Sequence, residues 1–449
     1  MSGETRVLLA TIDEPDLHTI EVYERLGGYG DRLRKALLQM SPEEVLKELE
    51  NSGLRGRGGA GFDMGKKASF IPKGDMDKYL CCNADESEPG AFKDRLLMQK
   101  NPHLLIEGCI IGAIAAGANK GFIFIRGEYA HQADILDAAV AEAYDKGYLG
   151  ERILDSAHSF DLVVHRGQGA YICGEEIALL DALEGKRGNP RLKPPFPANQ
   201  GLYQGPTLIN NVETLCCAPL IIEKGGEWFA SMGVDKSTGT KIVSVSGNVE
   251  RPGNYEVELG ISCRDLIYGL AGGPPDGRDV KCFFPGGSSA PVLTKEHLDL
   301  PYTFEAMSEA GSMLGSGSVI VVDDSVSIVS LALRLAEFYR HESCGKCVPC
   351  REGTNWTVKM LERMDAGEAT PMDIEVMSQV QTNIIGNCLC VLGDSMAMPV
   401  GSMIEHFRDE FEEHIEQARV RRGLEETAAY PSEAPLGAEL AAAGESGPA

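Results

Sequence analysis

The sequence predicts an α/β protein with a mostly parallel sheet, then a small α+β unit, then a helical region built around a cysteine loop. Three observations carry this. A strand-like run, Gly121 to Arg126, is flanked by helical patterns at 104–118 and 132–146, the signature of βα units. Short strand-like runs punctuated by turn residues fill 240–325. From 326 the apolar spacing turns helical, and C-x-x-C-x-x-C sits at the first junction.

In chain order, residues 1–50 read as helical towards their end. Ser41-Pro42-Glu43-Glu44 is a helix start, with Ser as N-cap, Pro in the first turn and acids beside it. A glycine-rich segment, 53–65, follows, and Lys78 to Asn83 reads as a buried strand. Leu104 to Ala118 is the most apolar stretch. It contains Glu107 and is too short to span a bilayer, so a buried helix is expected. Residues 186–207, rich in Pro and Gly, read as a long ordered loop. In the second unit Lys241–Ser246, Gly253–Val257 and Cys282–Phe284 read as strands, with a short helix near 263–270. Roughly four helices are expected after it, at 326–340, 351–365, 371–385 and 395–418. The Ala-, Glu-, Gly- and Pro-rich residues 424–449 are expected to be disordered. No internal repeat is visible.

Forty-two basic against 67 acidic residues leave a net charge of −25. This excludes a nucleic-acid binder, which needs basic surface for phosphates, and a polybasic membrane anchor. No signal peptide is visible, and an odd count of 13 cysteines does not suit a disulfide framework. Thiolate ligands in a reducing cytoplasm fit better.

The cysteine loop is the sharpest motif. Cys344, Cys347 and Cys350 are spaced so that one loop can wrap a cubic cluster, and a fourth ligand must come from elsewhere. Cys388 and Cys390 lie in Asn387-Cys388-Leu389-Cys390-Val391-Leu392-Gly393-Asp394. Four thiolates suit one [4Fe–4S] cluster; structural zinc, which usually takes two separated C-x-x-C pairs, is the alternative.

Five shorter signals suggest a nucleotide. Gly56-Arg57-Gly58-Gly59-Ala60-Gly61 matches G-x-G-x-x-G, but a helix precedes it where the dinucleotide fingerprint needs a strand. Its glycines still let main-chain N–H groups meet an anion and a flat ring approach the backbone; a mobile linker is the bland alternative. Asn83-Ala84-Asp85-Glu86-Ser87-Glu88 follows a strand, where α/β sheets place ligands, or is a solvated acidic turn. Tyr171-Ile172-Cys173-Gly174-Glu175-Glu176 offers carboxylates to ribose hydroxyls or to a helix dipole. Lys193-Pro194-Pro195-Phe196 is a stiff segment that can present Phe196 for stacking or form a surface turn. Ile209-Asn210-Asn211-Val212-Glu213-Thr214 can bind a phosphate or flavin edge, or cap a helix.

Together and in this order, these motifs resemble the flavin- and NADH-binding subunit of respiratory complex I (NADH:quinone oxidoreductase), over roughly residues 15–420. The resemblance implies a Rossmann-like FMN domain (1–239), an SLBB ubiquitin-like domain (240–325) and a four-helix bundle with the cluster (326–423). It implies FMN contacts at Gly56, Arg57, Gly58, Gly59, Lys67, Asn83, Asp85, Tyr171, Gly174, Ile209, Asn210, Asn211 and Thr214. It implies NADH contacts at Phe62, Phe70, Glu88, Glu175, Glu176, Lys193 and Phe196, with Glu88 beside the nicotinamide and flavin rings as the catalytic position. The Leu392-Gly393-Asp394 motif selects Cys390 as the fourth cluster ligand. The implied partners are a thioredoxin-like [2Fe–2S] subunit and a large multi-cluster subunit, at the cytoplasmic face of the membrane without direct insertion. The chain departs from the usual pattern at Asp63-Met64-Gly65-Lys66-Lys67-Ala68, which lacks the family tryptophan, and at Cys388, where threonine is usual. The runner-up is the matching subunit of a soluble NAD-linked hydrogenase or formate dehydrogenase. A zinc-stapled binding module is the non-enzymatic alternative.

Overall fold

The computed structural model describes residues 3–422; the expected disordered tail lies outside them. The first labelled helix, α1 (Pro42–Asn51), begins on the capping box read from the sequence. Ser41 N–H donates to Glu44 Oε2 at 2.7 Å and Glu44 N–H to Ser41 Oγ at 3.3 Å. The glycine loop follows, then α2 (Met64–Ser69).

Four parallel strands form the first sheet: β1 (Tyr79–Ala84), β2 (Lys120–Ile125), β3 (Asp161–Arg166) and β4 (Thr207–Asn211). Their order is β3-β2-β1-β4. The chain thus winds outward from β1 to β3, then crosses to the other side of β1. The crevice between the carboxyl ends of β1 and β4 is the switch point, where open α/β sheets bind ligands. Helices α3 (Lys93–Lys100), α4 (Pro102–Ala116) and α5 (Ala130–Asp145) connect the first three strands. Helix α6 (Glu176–Leu183) precedes β4, and α7 (Val212–Lys224) leaves it.

Helix α4 is buried on almost every side, as its composition demands. Glu107 within it is fully buried. Its charge is met by Arg32 at 2.8 Å and by the Tyr23 hydroxyl at 2.5 Å. Strands β3 and β4 were not evident in the sequence. β3 lies at the sheet edge with Val163 half exposed, and β4 emerges directly from the Pro- and Gly-rich loop.

The second sheet contains β5 (Thr240–Gly247), β6 (Gly253–Glu258), β7 (Val280–Phe284), β8 (Leu293–Thr294) and β9 (Ser318–Asp323), in the order β8-β7-β9-β5-β6. Lys241 on β5 ties it to the first unit: its Nζ lies 2.5 Å from Glu213 at the start of α7. The C-terminal region holds α8 (Ile328–Glu342), α9 (Val348–Asp365), α10 (Pro371–Ile384) and α11 (Leu392–His406), with α12 (Arg408–Arg421) packed against them. The helix expected over 395–418 is in fact two, because Phe407 leaves the helical region (φ −130°, ψ 31°). No helix among the described residues is long and apolar enough to cross a membrane.

Candidate active site

The crevice is lined from four directions. Asn83 and Asn211 are register partners at the ends of β1 and β4. The glycine loop folds over them, with helix α1 before it rather than a strand, so it is not a standard dinucleotide turn. It closes on itself through Gly56 N–H to Phe62 O at 2.8 Å, and docks on α7 through Arg57 N–H to Thr214 Oγ1 at 2.8 Å. Gly58 needs to be glycine for space: a Cβ there would lie 2.8 Å from Asn211 Cβ. Gly59 has φ +140° and faces open space, which leaves its backbone accessible.

The two asparagines, alike in sequence, differ in the fold. Asn211 is committed: its Nδ2 donates to Asp94 at 2.6 Å, and its Oδ1 caps α7 by accepting Glu213 N–H at 3.0 Å. Asn210 is buried, yet its Nδ2 has no partner. A buried amide without a partner is costly unless a ligand supplies the acceptor. With the glycine cradle and the exposed Gly59 backbone, this fits a flavin nucleotide. The Arg57 guanidinium is fully buried: Nη2 donates to Thr238 O at 2.8 Å, while Nε and Nη1 have no partner.

After β1, Asn83 donates to Gly174 O at 2.8 Å and accepts Asp85 N–H at 3.2 Å, binding the 83–85 turn to the 171–176 segment. Burial pushes the Asp85 carboxyl up to about 7, against a hydrogen bond from Ser87. Glu88 accepts the Tyr171 hydroxyl at 2.7 Å and Ser289 N–H at 2.8 Å, with Ser288 Oγ at 3.4 Å. Burial raises its pKa and these donors pull it back. Ser288 and Ser289 come from the β7–β8 loop of the second unit, about 200 residues away, and no local pattern marked them. Lys93 and Asp94, which hold Asn211 and Glu213, were missed for the same reason.

On the outer rim, Phe62 and Phe70 are half exposed with ring centroids 6.1 Å apart, and Phe196 is half exposed as well. Lys67 lies 3.2 Å from Glu176, and Lys193 lies 2.6 Å from Glu176 and 3.1 Å from Glu175. Burial alone would raise the Glu176 pKa; the two lysines hold it below the usual carboxylate range. Glu175 also caps α6, accepting Ile177 and Ala178 N–H groups at 2.9 Å. Ile209 is buried, in the same hydrophobic core as Phe124, Ile172 and Cys173.

A second, small pocket is lined by Cys344, Cys347, Cys350 and Cys390. Cys347 is the N-cap of α9 and Cys350 lies in its first turn, so the helix dipole favours negative charge here. Four cysteine sulfurs around one pocket suit a multi-iron core. Cys388 does not line the pocket and lies beside Gly393. Ile172, on the pocket wall, is adjacent in sequence to Tyr171, which holds Glu88 in the crevice. Tyr171 N–H also donates to Glu342, at the end of α8, at 3.0 Å.

A nucleotide crevice that shares a backbone segment with a four-cysteine pocket defines an electron-transfer protein that binds a flavin and an iron–sulfur cluster. Family models agree: the Nuo51 FMN-binding domain matches residues 49–219, the SLBB domain 242–293, and the NADH-ubiquinone oxidoreductase-F iron–sulfur binding region 330–414. The chain belongs to the family of NADH-quinone oxidoreductase F subunits. It is 52% identical over 414 residues to the F 2 subunit of NADH-quinone oxidoreductase in Rhizobium meliloti, covering 92% of this chain and 98% of that one. It is 50% identical over 418 residues to the F subunit of the Mycobacterium tuberculosis enzyme, covering 92% and 94%. Among solved structures, the NAD+-reducing [NiFe]-hydrogenase in its H2-reduced state matches with a TM-score of 0.80 and 33% identity, over 95% of this chain and 71% of that one.

Proposed function

We propose that this chain is the NADH dehydrogenase (diaphorase) subunit of a quinone-reducing complex I, with FMN in the crevice and a [4Fe–4S] cluster in the cysteine pocket. The observation that carries the reading is the Tyr171–Ile172 dipeptide: one residue serves the crevice and the next lines the pocket. Bound FMN supplies the conversion of a two-electron hydride into single electrons, which a one-electron cluster requires.

The residues divide the work. The main chain of Gly56 to Gly59, the Asn210 amide and the Asn83–Asp85 turn hold FMN; Asn211 and Thr214 hold the loop that does so. Lys67 turns from Glu176 to FMN, and Glu176 and Lys193 exchange their mutual ion pair for the ribose hydroxyls and phosphates of NADH. Phe62, Phe70 and Phe196 offer ring faces to its bases. Glu88, fixed by Tyr171 and Ser289, would stand beside the nicotinamide and flavin rings. Cys344, Cys347, Cys350 and Cys390 ligate the cluster. The units span 1–239, 240–325 and 326–423. The neighbours are a thioredoxin-like [2Fe–2S] subunit and a large multi-cluster subunit. The complex places the chain at the cytoplasmic face of the membrane, without insertion of its own.

The likeness to the hydrogenase favours a second reading, the diaphorase subunit of a soluble NAD-linked enzyme. The near-complete span of the NADH-quinone oxidoreductase relatives weighs towards complex I. An absorption spectrum of anaerobically purified protein tests the cofactors. Flavin peaks over broad iron–sulfur bands, bleached by NADH, are expected; a colourless, zinc-containing protein overturns the reading. Reduction of quinone by the complex that copurifies with the chain separates the two enzymes.

A further inference from the structure

The surroundings do not treat the four pocket cysteines alike. Cys350 has a hydroxyl against its sulfur. Ser343 Oγ lies 3.2 Å from Cys350 Sγ. The same oxygen accepts Gly345 N–H at 3.3 Å, so a lone pair is occupied there and the hydroxyl hydrogen is free to point at the sulfur. The Cys388 thiol, by contrast, donates to Ile384 O at 3.6 Å. Gly393 leaves the space that Cys388 occupies: a Cβ there would lie 2.4 Å from the Cys388 sulfur. Among the described residues, no hydroxyl hydrogen-bonds to Cys344, Cys347 or Cys390.

Reduction adds one negative charge to an iron–sulfur cluster, and that charge spreads onto the ligand sulfurs. Donors aimed at a ligand sulfur therefore stabilise the reduced form more than the oxidised one. We propose that Ser343 sets the cluster's potential: its hydrogen, directed at the Cys350 sulfur, holds it up and so favours acceptance of an electron. Ser343 is a positioning residue, not a ligand. The proposal rests on the reading above, in which Cys344, Cys347, Cys350 and Cys390 hold the cluster.

The test is a redox titration, followed by electron paramagnetic resonance, of the cluster-loaded protein. Parent, Ser343→Ala and Ser343→Thr are compared. At the parent midpoint, the alanine variant is expected to show roughly a three- to tenfold lower ratio of reduced to oxidised cluster, tenfold being about 59 mV for one electron. The threonine variant should stay near the parent. An unchanged potential in the alanine variant overturns the role of Ser343. Loss of the cluster from the alanine variant also overturns it, since a residue that only tunes a sulfur leaves four ligands in place. A parent protein without a [4Fe–4S] signal overturns instead the cluster assignment itself.

Discussion

At Glu176 two lysines converge on one carboxylate, and under the proposed NADH contacts this carboxylate selects the cofactor. An ionised group here accepts the free 2′-hydroxyl of an adenosine ribose and repels a 2′-phosphate. The lysines keep it ionised by lowering its pKa against the effect of burial. Glu176→Gln should therefore narrow the preference for NADH over NADPH, by roughly tenfold or more if about 1.4 kcal/mol of discrimination is lost. The ratio of kcat/KM values for the two cofactors checks it, and an unchanged ratio removes Glu176 from the ribose. Gly58 makes a separate case. Its φ is not positive, so the constraint is contact with Asn211, 2.8 Å from where a Cβ would stand. Gly58→Val should give a folded protein without flavin and without NADH–ferricyanide activity; flavin content after gel filtration is the measurement.

Among the elements, α4 shows how far local pattern reaches. Its composition announces a buried helix, and the helix ends on Gly117 in the left-handed conformation (φ +67°), as a glycine C-cap should. Its partner is not announced. Gly108 lets α4 approach α7 so closely that a Cβ would lie 2.2 Å from Leu215 O. Backbone cannot yield as a side-chain tip can, so Gly108→Ala should destabilise the protein by about 1–3 kcal/mol despite the better helix propensity of alanine. Urea unfolding followed by circular dichroism would show it, and a gain in stability would mean the helices separate freely. The C-terminal helices were legible because their apolar stripes repeat over many residues. The break at Phe407 was not, because it rests on one residue's backbone conformation.

Across the whole molecule, one carboxylate joins the two sheets. Glu213, fully buried at the start of α7, meets Lys93 at 2.9 Å and Lys241 at 2.5 Å, and accepts Ile242 N–H at 2.8 Å. Burial pushes the Lys241 ammonium down to about 7 while Glu213 resists that shift. Removing the carboxylate leaves the buried Lys241 without a counter-charge and Lys93 with Asp94 alone. Glu213→Gln should destabilise the fold by about 3–5 kcal/mol and loosen the flavin crevice with it, since Asn211 and Asp94 belong to the same network. Thermal unfolding and flavin retention should fall together; a stable variant with full flavin would detach the network from the site.

The chemistry-bearing loops were readable from the chain alone because each packs its function into a short spacing. Three cysteines two residues apart can wrap a cluster whatever surrounds them, and five glycines in nine residues open a backbone to a nucleotide. Such signals depend on neighbours in sequence, and the sequence carries neighbours in full. Only the tertiary structure decided which side chains those loops would be left with. It spent Asn211 on Asp94 and a helix cap while leaving Asn210 without a partner, and tied the Arg57 guanidinium to Thr238 O. It brought Ser289 to Glu88 from about 200 residues away. Hydrogen-bond partners, burial and charge pairing are properties of distance in space, and these residues become neighbours only when the sheets and helices pack.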